Sequence, residues 1–409
     1  MKKGFWILCI TLWTSSAFAL EGLGDLEKDI LEKNQEYLSL RSQIESKAAL
    51  SRSNYSGYYP TLYAVGGIAQ LKTDEIGATE KGVVGYLEGR FNIFKGFRDQ
   101  AFGNQKDVDF KIAKLDLEIK KRDLRLQITT ISSEIIYLHK LQEILSEEQK
   151  TSETQKKMAE KKVSAGLTGN VDNLEFELRQ SELEMEESQI AQKHQEVHQR
   201  IVSFYGEDVP DSQFEKLQFS PPDKLIKRSA NRKVEDSLEF QKADLLRARS
   251  EFERNEIRAD FLPSVDFTYS VGRLTPSEDT PTRFNESKYA LLLTIPLFSG
   301  FDTHYKTKAA NLQISAAERI KAQKRNNLMS EFSILESKFL QLGNLFAINE
   351  KKLINSQKYF DLTLSEYRRG IKNSPDLVSA TERFYGAKKR KFEILKDLEI
   401  TKVEIENLF

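Results

Sequence analysis

The chain states one structural unit twice, and that repeat constrains every fold open to it. Gly166 and Gly370 lie 204 positions apart (370 − 166 = 204), and other landmarks coincide at the same offset. Phe94-Lys95-Gly96-Phe97 falls on Phe298-Ser299-Gly300-Phe301. Leu124, Ile131 and Leu138 fall on Leu328, Leu335 and Leu342, and Asp172 falls on Asp376. One offset shared by distant points marks a duplicated unit. Each copy reads as an opening helix, two alternating strands, one very long helix, a glycine break and a second helix.

The opening helices are expected over Leu26 to Ser53 and over about Val234 to Asp260, ending before Pro263. Strands follow over Thr61 to Leu71 and Val83 to Phe94, with a polar loop from Lys72 to Lys81. In the second strand Val83, Gly85, Leu87, Gly89, Phe91 and Ile93 alternate with Val84, Tyr86, Glu88, Arg90 and Asn92. In the second copy Val265, Phe267, Tyr269 and Val271 face away from Ser264, Asp266, Thr268 and Ser270. Tyr289, Leu291, Leu293, Ile295 and Leu297 continue the pattern. Period two with one apolar face means that one side of a sheet meets something apolar. Runs of about 10 to 12 residues suit a tilted strand crossing a bilayer. The first strand alternates least well, because of Gly66-Gly67. Four strands cannot close a barrel, which takes about eight. Either several chains contribute to one barrel, or the sheet packs on a soluble core.

Leu117, Leu124, Ile131, Leu138 and Leu145 recur every seven residues within a candidate helix from Gly96 to Val163. At about 1.5 Å per residue it would run roughly 100 Å. Its partner, Gly300 to Arg369, carries Phe332, Phe339, Phe346, Leu353, Phe360 and Tyr367 at the same spacing. A seven-residue apolar repeat is a coiled-coil seam, so this phenylalanine column reads as packing. Gly166 and Gly370 read as left-handed helix ends. Helices resume over Asp172 to Phe204 and Pro375 to Leu408, so each break makes an antiparallel hairpin. Gly206 to Arg232, with Pro210, Pro221 and Pro222, is expected to be irregular or briefly helical.

The first nineteen residues read as a targeting segment. Lys2 and Lys3 precede an apolar stretch, Phe5 to Leu12, and Ala17-Phe18-Ala19 is a small-residue cleavage site. The domains expected are therefore a signal peptide (1–19), a first repeat (20–205), a linker (206–233) and a second repeat (234–409). The only cysteine, Cys9, lies in the signal, so disulfides and cysteine chemistry are excluded after cleavage. Lys+Arg equals Asp+Glu at 62 each, which leaves no electrostatic footprint for nucleic acid. No later stretch is long and apolar enough for a spanning helix, so membrane entry would require strands in a closed barrel.

His194 and His198 share a helix face at a spacing of four. No third ligand is evident, and His139 and His304 read as scattered, so no metal site is assigned. No phosphate-loop lysine, Ser-His-Asp set or nucleophile elbow is apparent. No enzyme activity and no cofactor are expected.

The signal, the duplicated strand-strand-helix-helix unit and the long helices resemble the TolC-like outer-membrane efflux proteins. Local motifs agree. Ile295-Pro296-Leu297-Phe298-Ser299-Gly300 is close to the family's P-L-F-x-G-G ending, and Tyr367-Arg368-Arg369-Gly370 followed by Asp376-Leu377-Val378 looks like its helix break. The resemblance implies a mainly α fold with a β-barrel part. Three chains would form a homotrimer, each giving four strands to one twelve-stranded barrel in outer-membrane lipid, above a long periplasmic coiled-coil α-barrel. It implies a passive exit duct of a tripartite efflux or type I secretion system, working with a periplasmic adaptor and an inner-membrane pump.

The resemblance also implies site roles. Asp376 holds the position of an aspartate lining a cation-attracting entrance, and Ser379 stands where some members carry a second. Tyr367, Lys372 and Asp172 look similar to tip residues that hold the closed state, with Gly166 and Gly370 at the hairpin tips. The bland alternative for Asp172 and Asp376 is helix capping. The rival to the whole reading is a soluble exported coiled-coil protein with structural or adaptor duties.

Overall fold

The computed structural model describes residues 23–72, 79–214, 217–219, 233–276 and 286–409. The signal segment with Cys9, and parts of the 72–81 loop and of the 206–232 linker, lie outside the described residues. In chain order the elements are α1 (Leu23–Lys33), α2 (Gln35–Ser53), β1 (Thr61–Lys72), β2 (Thr79–Lys95), α3 (Arg98–Ser164) and α4 (Val171–Tyr205). The second copy follows with α5 (Leu238–Arg258), β3 (Ser264–Arg273), β4 (Glu286–Thr294), α6 (Asp302–Arg368) and α7 (Ser374–Asn407). Short 3₁₀ turns at Val234–Asp236 and Ala259–Phe261 flank α5. Both long helices have 67 residues. The expected single opening helix is divided at Asn34. The Asn34 side chain leaves that helix to donate 2.7 Å to the Phe204 carbonyl, one of the last-turn acceptors of α4 that lack a helical partner.

Two compact units emerge, and both draw on both copies of the repeat. One comprises the described parts of Met1–Gln35, Lys121–Arg232 and Ser330–Phe409, the other Glu36–Lys120 with Lys233–Met329. The duplicated stretches and the compact units thus divide the chain differently.

The second unit holds one antiparallel sheet in the order β1-β2-β3-β4. Its register sorts the side chains onto two faces. Leu62, Ile68, Val83, Leu87, Phe91, Phe267, Tyr269, Tyr289, Leu291 and Leu293 share one face through the pairings Ile68↔Val83, Leu87↔Val271, Phe91↔Phe267, Tyr269↔Tyr289 and Phe267↔Leu291. The other face carries Thr61, Glu88, Arg90, Asn92, Asp266, Thr268 and Lys288. There Arg90 pairs with Glu88 and the Asn92 amide donates to Asp266. The apolar face is the bare one: Ile68, Tyr289 and Leu291 are 77%, 78% and 65% exposed. β2 starts four residues earlier than expected because its pairing with β1 continues to Lys72↔Thr79. β4 stops at Thr294, short of the expected Leu297, where Pro296 has no amide to donate.

The repeat extends to backbone torsions. Among the described residues, only Phe97 and Phe301 have positive φ without being glycine, both at 65°. They follow Gly96 and Gly300 (φ 59° and 62°) at equivalent strand-to-helix elbows. Each phenylalanine packs edge-on against the ring three residues earlier, Phe94 or Phe298. The two glycines differ in surroundings. A Cβ on Gly96 would meet Leu262 Cβ at 2.7 Å and the Ala259 carbonyl at 2.8 Å, whereas one on Gly300 meets nothing within 4 Å. Left-handed strain costs about 1–2 kcal/mol at either site. Gly96→Ala adds a backbone clash, so thermal melting should show a clearly larger loss for Gly96→Ala than for Gly300→Ala.

The helical unit has three apolar clusters. Ile30 of α1 packs with Ile128, Ile135, Leu138 and Leu145 of α3 and with Leu183, Ile190 and Val197 of α4. Val209, Phe214 and Leu217 of the linker join them. Phe339 and Leu342 of α6 meet Ile394 and Leu398 of α7. Phe360, Tyr367, Phe176, Leu377 and Phe384 form the third cluster near the glycine breaks. The phenylalanine column of α6 is packing, as its seven-residue spacing requires.

Candidate functional site at the helix-hairpin tips

The two glycine breaks are built alike. Gly166 (φ 72°) donates to the Val163 carbonyl while Leu167 donates to that of Lys162. Gly370 (φ 78°) donates to Tyr367 and Ile371 to Glu366 in the same way. Both are Schellman ends, which need a left-handed residue and therefore favour glycine.

The following helix starts are not alike. Asn373 caps α7, its side-chain oxygen accepting from the Asp376 amide at 3.1 Å, with Pro375 in the first turn. Asp376 therefore does not cap the helix. Its carboxylate lies in the first turn and faces Lys372 at 3.5 Å, each side chain 38% exposed. Asp172 likewise lies in the first turn of α4, where the cap position belongs to Asn170. Both carboxylates sit at positive helix ends, which favour an anion.

Tyr367 stands apart from the exposed acids, because its side chain is fully buried. Its ring meets Phe176 of α4 edge-on at 6.2 Å between centroids. Ser374 donates to its hydroxyl at 3.3 Å. Lys162 of α3 donates to its carbonyl and places its ammonium 3.8 Å from the ring centroid. Burial above all raises the Tyr367 phenol above its ordinary range; Ser374 opposes this and Asp172 adds to it. Tyr367 thus joins the two breaks. Lys162 is a partner that the sequence did not reveal.

A second set of contacts was also illegible in sequence. Glu148 of α3 is fully buried. Arg179 of α4 pairs with it and reaches Glu182 at 2.7 Å and Glu382 of α7 at 3.2 Å. Lys389 of α7 lies 2.9 Å from Glu148 and 2.7 Å from Glu186. Beside them Tyr385 and Thr151 share a 2.8 Å hydrogen bond, and Gln155 donates to Thr381 at 3.0 Å. These polar contacts fasten α7 to the α3–α4 hairpin beside the apolar cluster around Phe176 and Leu377.

Solved channel structures share the fold. CusC superposes with a TM-score of 0.83 at 13% identity, over 95% of this chain and 91% of its own. The Campylobacter jejuni CmeC outer membrane channel gives 0.81 at 13%, over 95% and 85%. The open state of the Neisseria gonorrhoeae MtrE outer membrane channel gives 0.78 at 16%, over 95% and 89%. Residues 231–409 match the family model described as outer membrane efflux protein. The second repeat is thus similar to outer membrane efflux proteins, and the whole chain shares the fold of these channels. No curated protein sequence matches it. No helix among the described residues is long and apolar enough to cross a membrane.

Proposed function

We propose that this chain is an outer-membrane efflux channel extending into the periplasm, and that three copies of it assemble into one passive exit duct, completed by a periplasmic adaptor and an inner-membrane pump of a tripartite efflux or type I secretion system. Each copy gives its four strands to a single twelve-stranded barrel. The sheet is the observation that carries this reading. Its apolar face is bare, its polar face is hydrogen bonded, and β1 and β4 are edge strands with no neighbour beyond them among the described residues. Unpaired edges do not persist in a bilayer, where every backbone group needs a partner. Pairing β4 of one copy with β1 of the next removes all edges at once. The helices carry surplus apolar stripes that suit the same neighbours. Ile320, Ile334, Ile348 and Leu362 of α6 recur every fourteen residues and are all more than half exposed. Val171, Leu174, Leu178 and Met185, at helical spacings of three, four and seven, form another stripe on α4, each at least half exposed.

In this reading Asp376 is an entrance residue, with Asp172, Tyr367 and Lys372 around the moving tips and Gly166 and Gly370 as their turns. Three copies of one carboxylate at a constriction attract cations. Here the adjacent Lys372 offsets each carboxylate. Planar-bilayer recordings test the assignment. Asp376→Asn should lower the cation-to-anion permeability ratio and Lys372→Ala should raise it, each by a factor of about two or more. Unchanged selectivity in both variants would remove Asp376 from the constriction.

A further inference from the structure

Three of the four histidines of the chain converge on the linker between the repeats. His139 comes from α3, His194 and His198 from α4, and Asp208 and Asp211 from the linker just after α4. His194 Nε2 lies 3.2 Å from Asp211 Oδ2, and His139 Nε2 lies 3.7 Å from the same oxygen. The ligand atoms of His139, His194 and Asp211 all fall within 4.8 Å of one another. His198 turns the other way. Its Nε2 meets Asp211 Oδ1 at 2.8 Å and its Nδ1 meets Asp208 at 2.7 Å.

We propose that His139, His194 and Asp211 form a binding site for a first-row divalent transition ion, with Zn²⁺ as its natural occupant. Two imidazoles and one carboxylate are a borderline donor set that suits Zn²⁺ and discriminates against Mg²⁺ and Ca²⁺. Tetrahedral ligands about 2.0–2.1 Å from zinc stand about 3.3 Å apart, so the two distances to Asp211 Oδ2 are already near those of a bound site. His198 supplies the outer layer, holding the non-ligating oxygen of Asp211 while Asp208 orients its ring, an arrangement that fixes a ligating carboxylate. The backbone around Asp211 is anchored by the buried Val209 and Phe214 and by a 3₁₀ turn over Asp211–Gln213. The ligands remain reachable, with side chains 29%, 30% and 38% exposed. Water can therefore enter and fill a fourth position.

The duplication argues that the cluster is not a requirement of the fold. At the offset of 204, His139, His194 and His198 correspond to Gly343, Leu398 and Lys402. The second repeat builds the same hairpin without any of them. A bound ion would staple the inter-repeat linker to both helices of the first hairpin.

The full-length protein, extracted in detergent without a histidine tag and stripped with EDTA, is titrated with ZnCl₂ against a chromophoric chelator. The expected result is one Zn²⁺ per chain with a Kd in the micromolar range or tighter. His139→Gln and His194→Gln should each weaken binding at least about tenfold, as loss of one ligand does. His304→Gln, the one histidine outside the cluster, should leave it unchanged. Circular dichroism of each variant checks folding, and Asp211→Asn, a near-isosteric change at the surface, gives a second ligand knockout. Co²⁺ in place of Zn²⁺ should give tetrahedral visible absorption that disappears in the His139→Gln/His194→Gln double variant. No binding tighter than about 100 μM, or equal binding by the folded ligand variants, would overturn the site and leave only ion pairs between histidine and aspartate.

Discussion

Replacing both Arg179 and Lys389 by alanine is expected to cost about 3–5 kcal/mol, the penalty of leaving a buried charge without its partners. Glu148 is wholly enclosed, and these two residues supply its ion pairs. Either single substitution leaves one cation in place and should cost less than half as much. Adding Glu148→Gln to the double variant removes the charge while keeping the shape, and should recover most of the loss. That recovery separates an electrostatic fastening from simple packing, since truncating two long side chains would not be reversed by an amide. Denaturant melting followed by circular dichroism and tyrosine fluorescence gives the stabilities. Hydrogen exchange along α7 should quicken first around Thr381 to Lys389, where the network attaches.

Tyr367→Ala is the second large effect, about 3–5 kcal/mol by the usual cost of deleting a buried aromatic side chain. It removes the ring against Phe176, the cation–π partner of Lys162 and the acceptor of Ser374 together. Tyr367→Phe loses only the hydroxyl contact and should cost about 1 kcal/mol or less. Because Tyr367 links the two glycine breaks, the alanine variant should also raise single-channel conductance in planar bilayers, while the phenylalanine variant should not. Wild-type conductance in a folded alanine variant would show that Tyr367 stabilises the tip without restricting passage.

The contrast between what was readable and what was not follows from the range of each signal. Period two on β2 and β3, period seven on α3 and α6, and glycines at Gly166 and Gly370 are local patterns, and the structure places all of them as the sequence implies. The sheet faces follow from alternation alone. Glu148, Arg179 and Lys389 come together from three helices, and no local pattern joins them. The one available hint is an acid at Glu148, three residues after Leu145 on an otherwise apolar seam. The histidine pair on α4 was visible, but only His194 of the two belongs to the proposed ligand set, whose other members, His139 and Asp211, come from α3 and the linker. Of the two readings of Asp376, capping is ruled out by the structure, since Asn373 caps α7. Pro375 in the first turn points back to Asn373 instead, since proline favours that position after a capping residue.

The start of β2 and the end of β4 differ from the expected bounds for a related reason. Strand length is set by pairing partners, and Thr79 joins β2 only because Lys72 of β1 is opposite it. The glycine pair that blurs β1 in sequence, Gly66-Gly67, sits opposite Gly85 and Val84 without interrupting the ladder.

The central claim is that the two free edges of the sheet belong to one another across copies, and site-directed cross-linking tests it most directly. Cys9 is the only native cysteine, so paired cysteines at Leu62 of β1 and Leu291 of β4, both on the apolar face, can be joined by a short bismaleimide in isolated outer membranes. The account predicts a covalent trimer, absent when either cysteine is present alone. A protein recovered from the soluble periplasmic fraction, or one that cross-links only within a single chain, would contradict it.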